Sequence, residues 1–145
     1  MTDNKPFFSI ICCCYNSAKY IEETIKSVLT QSFEKWELIL IDDGSSDETL
    51  SIIKKYKKIN NKIRIHSQVN SGLAVSRNKG IDLALSEWIV IIDHDDILYQ
   101  NRLELHYNDI FKHMDCKLFF GDATFFDNTK NTYNRFEISR KIDKF

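Results

Sequence analysis

Apolar runs of strand length alternate along the chain with longer stretches whose apolar positions recur at helical spacing. Phe7 to Cys13 is a continuous β-type run, the pattern of a strand buried on both faces. Asn16-Ser17 reads as a capping pair. The helix that follows carries Tyr20, Ile21, Ile25, Val28 and Leu29 on one face. Trp36 to Ile41 is a second strand, and Asp42-Asp43-Gly44-Ser45-Ser46-Asp47 is a loop by composition. Asp47 is placed to cap a helix bearing Leu50, Ile53 and Tyr56. The lysines at 54, 55, 57 and 58 fall in its last turn, where they suit the helix dipole and form a solvated face. Ile63 to His66 is a third strand, Asn70-Ser71-Gly72 a break, and Leu73 to Leu85 a helix. Trp88 to Ile92 is a fourth strand. Asn101 to Lys112 is a helix, with Leu103, Leu105, Tyr107 and Phe111 among its apolar positions. Leu118 to Phe126 is a fifth strand region, and from Asp127 to Phe145 the chain turns polar.

Strand, helix, strand, helix is the signature of an α/β fold with a mainly parallel sheet. In such sheets ligands bind at the carboxyl ends of the strands, near a topological switch point. Chemistry is therefore expected in the loops after each strand, and two of those loops are dense in carboxylates. The 145 residues suit one domain. With 20 basic against 21 acidic residues, a net charge of −1 argues against a nucleic-acid binder working through a broad basic field. The 10 Phe, 6 Tyr and 2 Trp argue against disorder. No apolar run approaches a membrane span, and the opening MTDNKPFF lacks the order of a secretory signal. Cys12, Cys13, Cys14 and Cys116 fit neither a disulfide framework nor metal spacing. They read as reduced cysteines of a cytosolic protein, three of them in a core strand.

Asp42 and Asp43 stand at the end of the second strand. A carboxylate there can accept from a ring N–H or a ribose hydroxyl, and two adjacent acids repel unless they have a use. The competing reading is a turn with a helix cap. Asp93-His94-Asp95-Asp96 ends the fourth strand, and three carboxylates in four residues are costly without a cation. Oxygen ligands favour Mg²⁺ or Mn²⁺, with few protein ligands needed where a diphosphate supplies the rest. The alternative is a solvated acidic turn with Asp96 capping a helix; His94 could ligate metal, but a single His beside acids is more often exposed. Gly72 opens a helix whose N-terminal amides suit an anion. Arg77, one turn further in, suits a phosphate or pairs with a nearby Asp. His66, His106 and His113 show no ligand spacing.

Five stretches in order resemble the family 2 glycosyltransferases. They are Phe8-Ser9-Ile10-Ile11 through Tyr15-Asn16; Ser27 to Phe33; Glu37 to Asp47; Asn70-Ser71-Gly72 with Ala74 and Arg77-Asn78; and Asp93-His94-Asp95-Asp96. The resemblance covers about residues 6 to 126. It implies a GT-A-like, mainly parallel sheet with helices on both faces. It also implies transfer of a sugar, with inversion, from a nucleotide-diphosphate sugar, by family habit a UDP-sugar. Carried over by position, Asp43 would hold the base, with Asp42 shaping the loop. Cys13 and Tyr15 would line the nucleotide pocket, and Gly72 and Arg77 would lie near the nucleotide or diphosphate. Asp95 would meet the ribose or support the metal, and Asp96 would ligate Mn²⁺ or Mg²⁺. The acceptor class implied is a saccharide or lipid-linked oligosaccharide of cell-surface polysaccharide synthesis. The setting implied is the cytoplasm, with peripheral association at the inner face of the membrane.

By the same resemblance, residues 1–126 form a donor-binding domain and 127–145 begin a further portion or tail. The catalytic base is expected in a later segment beyond Phe145, and neither Asp122 nor Asp127 has spacing that marks it as a base. On that footing the chain holds the donor-binding half. Two other readings stay open from the residues. One is a haloacid-dehalogenase-like phosphatase built on Asp93 and Asp95. The other is a non-catalytic nucleotide-binding or receiver-type module.

Overall fold

The structure, a computed structural model, describes residues 5–119, 121, 123–126 and 132–136. Two compact units divide the chain, 1–108 and 109–145.

In the first unit four parallel strands form one sheet: β1 (Phe8–Cys14), β2 (Trp36–Asp42), β3 (Ile63–Ser67) and β4 (Trp88–Asp93). The order across the sheet is β3-β2-β1-β4. The chain lays down β1, β2 and β3 in one direction, then returns to place β4 on the free side of β1. Register aligns the strand ends: Cys14 pairs with Asp42, Asp42 with Ser67, and Cys13 with Asp93. All four carboxyl ends therefore share one edge, as the sequence pattern predicts, and the switch of direction falls between β1 and β4.

The reversal puts helices on both faces. α3 (Leu73–Leu83) covers one face, where Ile11, Cys13, Ile39 and Ile41 form a buried cluster against Leu83, Ala84 and Ile89. On the other face Ile10, Cys12, Leu38 and Leu40 are fully buried. There α1 (Ile21–Leu29) and α2 (Thr49–Ile59) pack on each other, and α2 packs on β2 and β3. Both strands of the sheet centre are thus apolar on both sides, which is why β1 and β2 read as unbroken runs. α3 approaches β1 closely at Gly80. A Cβ there would clash with Cγ2 of the fully buried Ile11. Gly80→Ala is therefore expected to destabilise by about 1–2 kcal/mol, overpacking outweighing the gain in helix propensity. Urea denaturation of the purified protein measures it.

Several sequence expectations are corrected. Asn16 and Ser17 do not cap α1; Tyr20 is the flanking residue, exposed, and no side chain caps the helix. Instead Asn16 and Ser17 donate their backbone N–H groups to Ser45 Oγ (3.1 Å) and Thr49 Oγ1 (2.7 Å), joining two loops. Asp47 does serve the start of α2, accepting from Thr49 N at 2.9 Å. α3 ends at Leu83, leaving Leu85 exposed beyond it. In α4 (Arg102–Lys112), Leu103 is buried, but Leu105 and Phe111 are exposed. In the second unit the fifth strand is short, β5 (Ala123–Phe126), and pairs antiparallel with β6 (Thr132–Phe136), a strand the polar composition concealed. Asp122 and Asp127 lie outside the described residues.

Candidate functional site

A cavity of about 420 Å³ opens at the carboxyl edge of the sheet. Its walls come from the end of β1 (Cys13, Cys14, Tyr15), Asp43 after β2, the loop and first turn of α3 (Asn70, Gly72, Leu73, Ser76) and His94 after β4. It thus sits at the switch between β1 and β4, where parallel α/β sheets place ligands.

Asp43 organises this cavity. It is 4% exposed. Its Oδ1 accepts from Gln68 Nε2 (2.8 Å) and Ser71 N (2.9 Å), and its Oδ2 accepts from Gly72 N (2.9 Å). Gln68 Nε2 also donates to Ser76 Oγ at 3.1 Å, tying the loop to α3. Burial by itself would raise this carboxyl. The hydrogen bonds from Gln68, Ser71, Gly72 and Ser76 outweigh it and hold Asp43 below the usual Asp range. Oδ1 carries two of these bonds within hydrogen-bond distance and Oδ2 one, so Oδ2 is the oxygen more open to a ligand. The two loops are pressed together at Gly44, whose φ of +75° suits glycine. A Cβ there would meet Asn70 N at 2.8 Å.

Asp42 turns away from the cavity. It is buried, and its oxygens accept from Ser45 N (3.3 Å) and Ser67 Oγ (2.9 Å), so it shapes the turn. Cys13 and Tyr15 line the cavity. The Cys13 thiol is pushed up to about 11, chiefly by burial and then by Cys14, so it is a neutral wall group. Tyr15, 51% exposed, offers an aromatic face at the mouth.

Arg77 lies on α3 outside the cavity lining. Its Nη2 pairs with Asp93 Oδ1 at 2.6 Å, and its Nε is buried without a partner. Asp95 and Asp96 occupy the exposed turn after β4, which Asp96 N closes onto the carbonyl of Asp93 at 3.1 Å. Neither lines the cavity. Partial burial, then Asp93 and Asp95, raise the Asp96 carboxyl. Asp93, Asp95 and Asp96, neighbours in one turn, supply hard oxygen donors of the kind a divalent ion takes. Among the described residues no three side chains of metal-binding type converge on one point. Such an ion would therefore take one or two carboxylates here, with further ligands from the bound molecule.

Sequence reasoning missed Gln68 and Ser76, whose role depends on the partner Asp43, and undervalued His94. The His94 ring lines the cavity, with Nδ1 buried and unpartnered. A histidine flanked by acids looks exposed in sequence. The β4 register and the turn after it bring this one inward.

The profile of glycosyl transferase family 2 matches residues 9–144. The chain is 42% identical over 105 residues to the Bacillus subtilis glycosyltransferase TuaG, named for teichuronic acid biosynthesis, covering 72% of this chain and 42% of TuaG. It is 42% identical over 100 residues to the cholesterol galactosyltransferase of Borreliella burgdorferi, covering 69% of this chain and 28% of that protein. The chain thus spans less than half the length of these relatives. Among solved structures, S. aureus TarS 1–349 in complex with UDP-GlcNAc superposes with a TM-score of 0.70 at 33% identity, over 74% of this chain and 32% of TarS. The mannosyltransferase PcManGT of Pyrobaculum calidifontis, in complex with GDP-Man and Mn²⁺, gives 0.62 at 25% identity, over 70% and 30%. Phosphatase and receiver readings account for neither the profile match nor these superpositions. With its parallel sheet, its cavity at the switch point and these relatives, the chain has the GT-A fold and belongs to the family 2 glycosyltransferases.

Proposed function

We propose that this chain binds the donor in an inverting transfer from a UDP-sugar to a saccharide or lipid-linked acceptor of cell-surface polysaccharide synthesis, at the cytoplasmic face of the membrane. The observation that carries the donor reading is the cavity at the β1/β4 switch, with buried, ionised Asp43 at one wall and His94 at the other. Its volume of about 420 Å³ suits a nucleoside. The fold of TarS, solved with UDP-GlcNAc, supports uridine.

In this reading Asp43 Oδ2 takes a ring N–H of the base, and Tyr15 covers its face. The first-turn amides of α3 face the diphosphate, with the Arg77 guanidinium, paired to Asp93, near it. Asp96, aided by Asp95, would hold Mn²⁺ or Mg²⁺. Such an ion, when bound, supplies positive charge to the departing nucleoside diphosphate. Transfer with inversion forms the bond from the acceptor oxygen to the anomeric carbon as the bond to the diphosphate oxygen breaks, and the acceptor's proton goes to a base. Asp43 is an unsuitable base, being bonded to the chain through both oxygens. The base is assigned to a later segment. In this reading membrane association is peripheral; no helix among the described residues is long and apolar enough to cross a membrane.

Calorimetric titration with UDP, GDP, UDP-sugars and acetyl phosphate, with and without Mn²⁺, tests this. UDP and UDP-sugars are expected to bind, Mn²⁺ to strengthen that binding, and Asp96→Ala to remove the strengthening. Binding of acetyl phosphate in preference to UDP would sink the donor reading. Identical UDP affinity with Mn²⁺, with chelator and in Asp96→Ala would sink the metal role.

A further inference from the structure

A helix lying against other elements is expected to bury an apolar face. α1 departs from this. Beside Ile21, Ile25 and Val28, it and the residues just past its end bury Thr24, Ser27 and Gln31, at 2%, 7% and 7% exposure. Buried polar groups are costly unless bonded, so their partners matter. Those partners lie mainly in one segment about 70 residues away, the stretch after β4. From Asp96 to Tyr99 that stretch has neither helix nor strand. Thr24 Oγ1 donates to the carbonyl of His94 at 2.8 Å. Ser27 Oγ donates to the carbonyl of Thr24 (2.7 Å) and accepts from Leu98 N (3.1 Å). Gln31 Nε2 donates to the carbonyl of Tyr99 at 2.8 Å, and its Oε1 accepts from Leu103 N at 3.1 Å, serving a first-turn amide of α4. Ser32 N donates to the carbonyl of Gln100 at 2.9 Å.

A segment without its own ladder must find partners for its backbone polar groups elsewhere. Here one side of α1 supplies them at His94, Leu98, Tyr99 and Leu103 in turn. The first contact falls inside the Asp93–Asp96 turn itself.

We propose that Thr24, Ser27 and Gln31 are positioning residues that hold the acidic turn in the shape that presents its carboxylates to the donor's diphosphate and metal. Thr24 acts on the turn directly, and Gln31 fixes where the segment ends at α4. The assignment to diphosphate rests on the donor-binding reading above. The anchoring of the turn rests on the hydrogen bonds alone.

Thr24→Val is nearly the same shape and lacks the hydroxyl; Thr24→Ser keeps it. Two measurements on the whole chain separate the parts of the proposal. In the free protein, amide hydrogen exchange of residues 94–98 is expected to quicken roughly five- to tenfold in Thr24→Val, the factor one lost hydrogen bond allows. Exchange in β1 and β2 should stay unchanged, and Thr24→Ser should restore slow exchange. In titrations, UDP affinity with Mn²⁺ is expected to fall about tenfold in Thr24→Val, the lower end of what loss of a supporting group costs a metal site. UDP affinity in chelator should not move. Unchanged exchange at 94–98 in Thr24→Val would overturn the anchoring itself. Faster exchange with unaltered Mn²⁺-dependent affinity would overturn the positioning role. Absence of any Mn²⁺-dependent gain in the unmodified protein would overturn the metal role of the turn, and with it the positioning role proposed here, while leaving the exchange result to stand.

Discussion

Asp43→Asn is expected to weaken nucleotide binding by about 10- to 100-fold and to lower the stability of the free protein by about 2–3 kcal/mol. The change removes the charge and replaces one oxygen by a donor. That donor must face either Gly72 N or the pair Ser71 N and Gln68 Nε2, all of which now donate to the carboxylate. One set of donors aimed at this buried position is therefore left without an acceptor, which is the costlier way to lose a hydrogen bond. The loop 68–72 and the start of α3 are both held by this side chain, so the cavity loses its shape as well as its ligand. At the scale of a chain this long, the melting temperature should fall by about 5–10 °C. The effect has a pH signature. Because the folded-state Asp43 lies below its ordinary value, its contribution is fully present above the ordinary Asp range near 3.9 and is lost as pH falls through the depressed value. The gap in stability between native protein and Asp43→Asn should thus be constant from neutral pH to about 5 and shrink below about 4. Asp47 is shifted in the same direction, bonded to Thr49 and Ala18, so some acid sensitivity remains in the variant. Thermal melts across pH, with UDP titrations at neutral pH, measure both parts. A gap that grows on acidification would mean that Asp43 is not held ionised by these bonds.

The second large effect lies at the opposite edge of the sheet. Glu37 is buried in β2 near the strand starts. Its Oε1 accepts from Ser9 Oγ and from Leu85 N, both at 2.7 Å, and its Oε2 from Arg64 Nη1 at 2.8 Å. Arg64 Nη1 also donates to the carbonyl of Leu83 at 2.7 Å, and Ser86 N to Ser9 Oγ at 3.0 Å. One carboxylate therefore joins β1, β2, β3 and the end of α3. Glu37→Ala strips the acceptor from a buried hydroxyl, a part-buried amide and a guanidinium. The expected loss is about 3–5 kcal/mol. The lower end is favoured because Arg64 is half-exposed and can turn to water. Glu37→Gln should cost less, because its amide oxygen can retain Ser9 and Leu85. Urea unfolding reads these values. UDP affinity of the folded fraction should be unchanged, since Glu37 is at the amino edge and the cavity at the carboxyl edge. A matching loss of affinity in Glu37→Gln would show that the two edges are coupled.

The strands and helices of the first unit were legible because their patterns are local. Buried parallel strands need apolar residues on both sides, and β1 and β2 carry such runs; β4 carries one as well, although at the edge of the described sheet it is only part-buried. Period and loop composition were enough to separate α2 and α3 from the strands around them. The acidic clusters were legible too, since carboxylates at strand ends are conspicuous in an α/β pattern. The second unit was less so: β6, with its sequence Thr132-Tyr-Asn-Arg-Phe136, has too few apolar residues to stand out.

What the chain alone determined, then, is the α/β alternation, the loops that carry chemistry and the residue types within them. What only the tertiary structure decided is which of neighbouring like residues faces the cavity. Asp42 and Asp43 are adjacent and identical in kind, yet the first is spent on Ser45 and Ser67 and the second on the wall of the cavity. Thr24, Ser27 and Gln31 look like interruptions of an apolar face until the segment after β4, about 70 residues on, lies against them. The physical reason is the same in both cases. Helical and strand periods are set by neighbours in the chain, whereas the worth of a buried polar group depends on partners that only folding brings within hydrogen-bond distance.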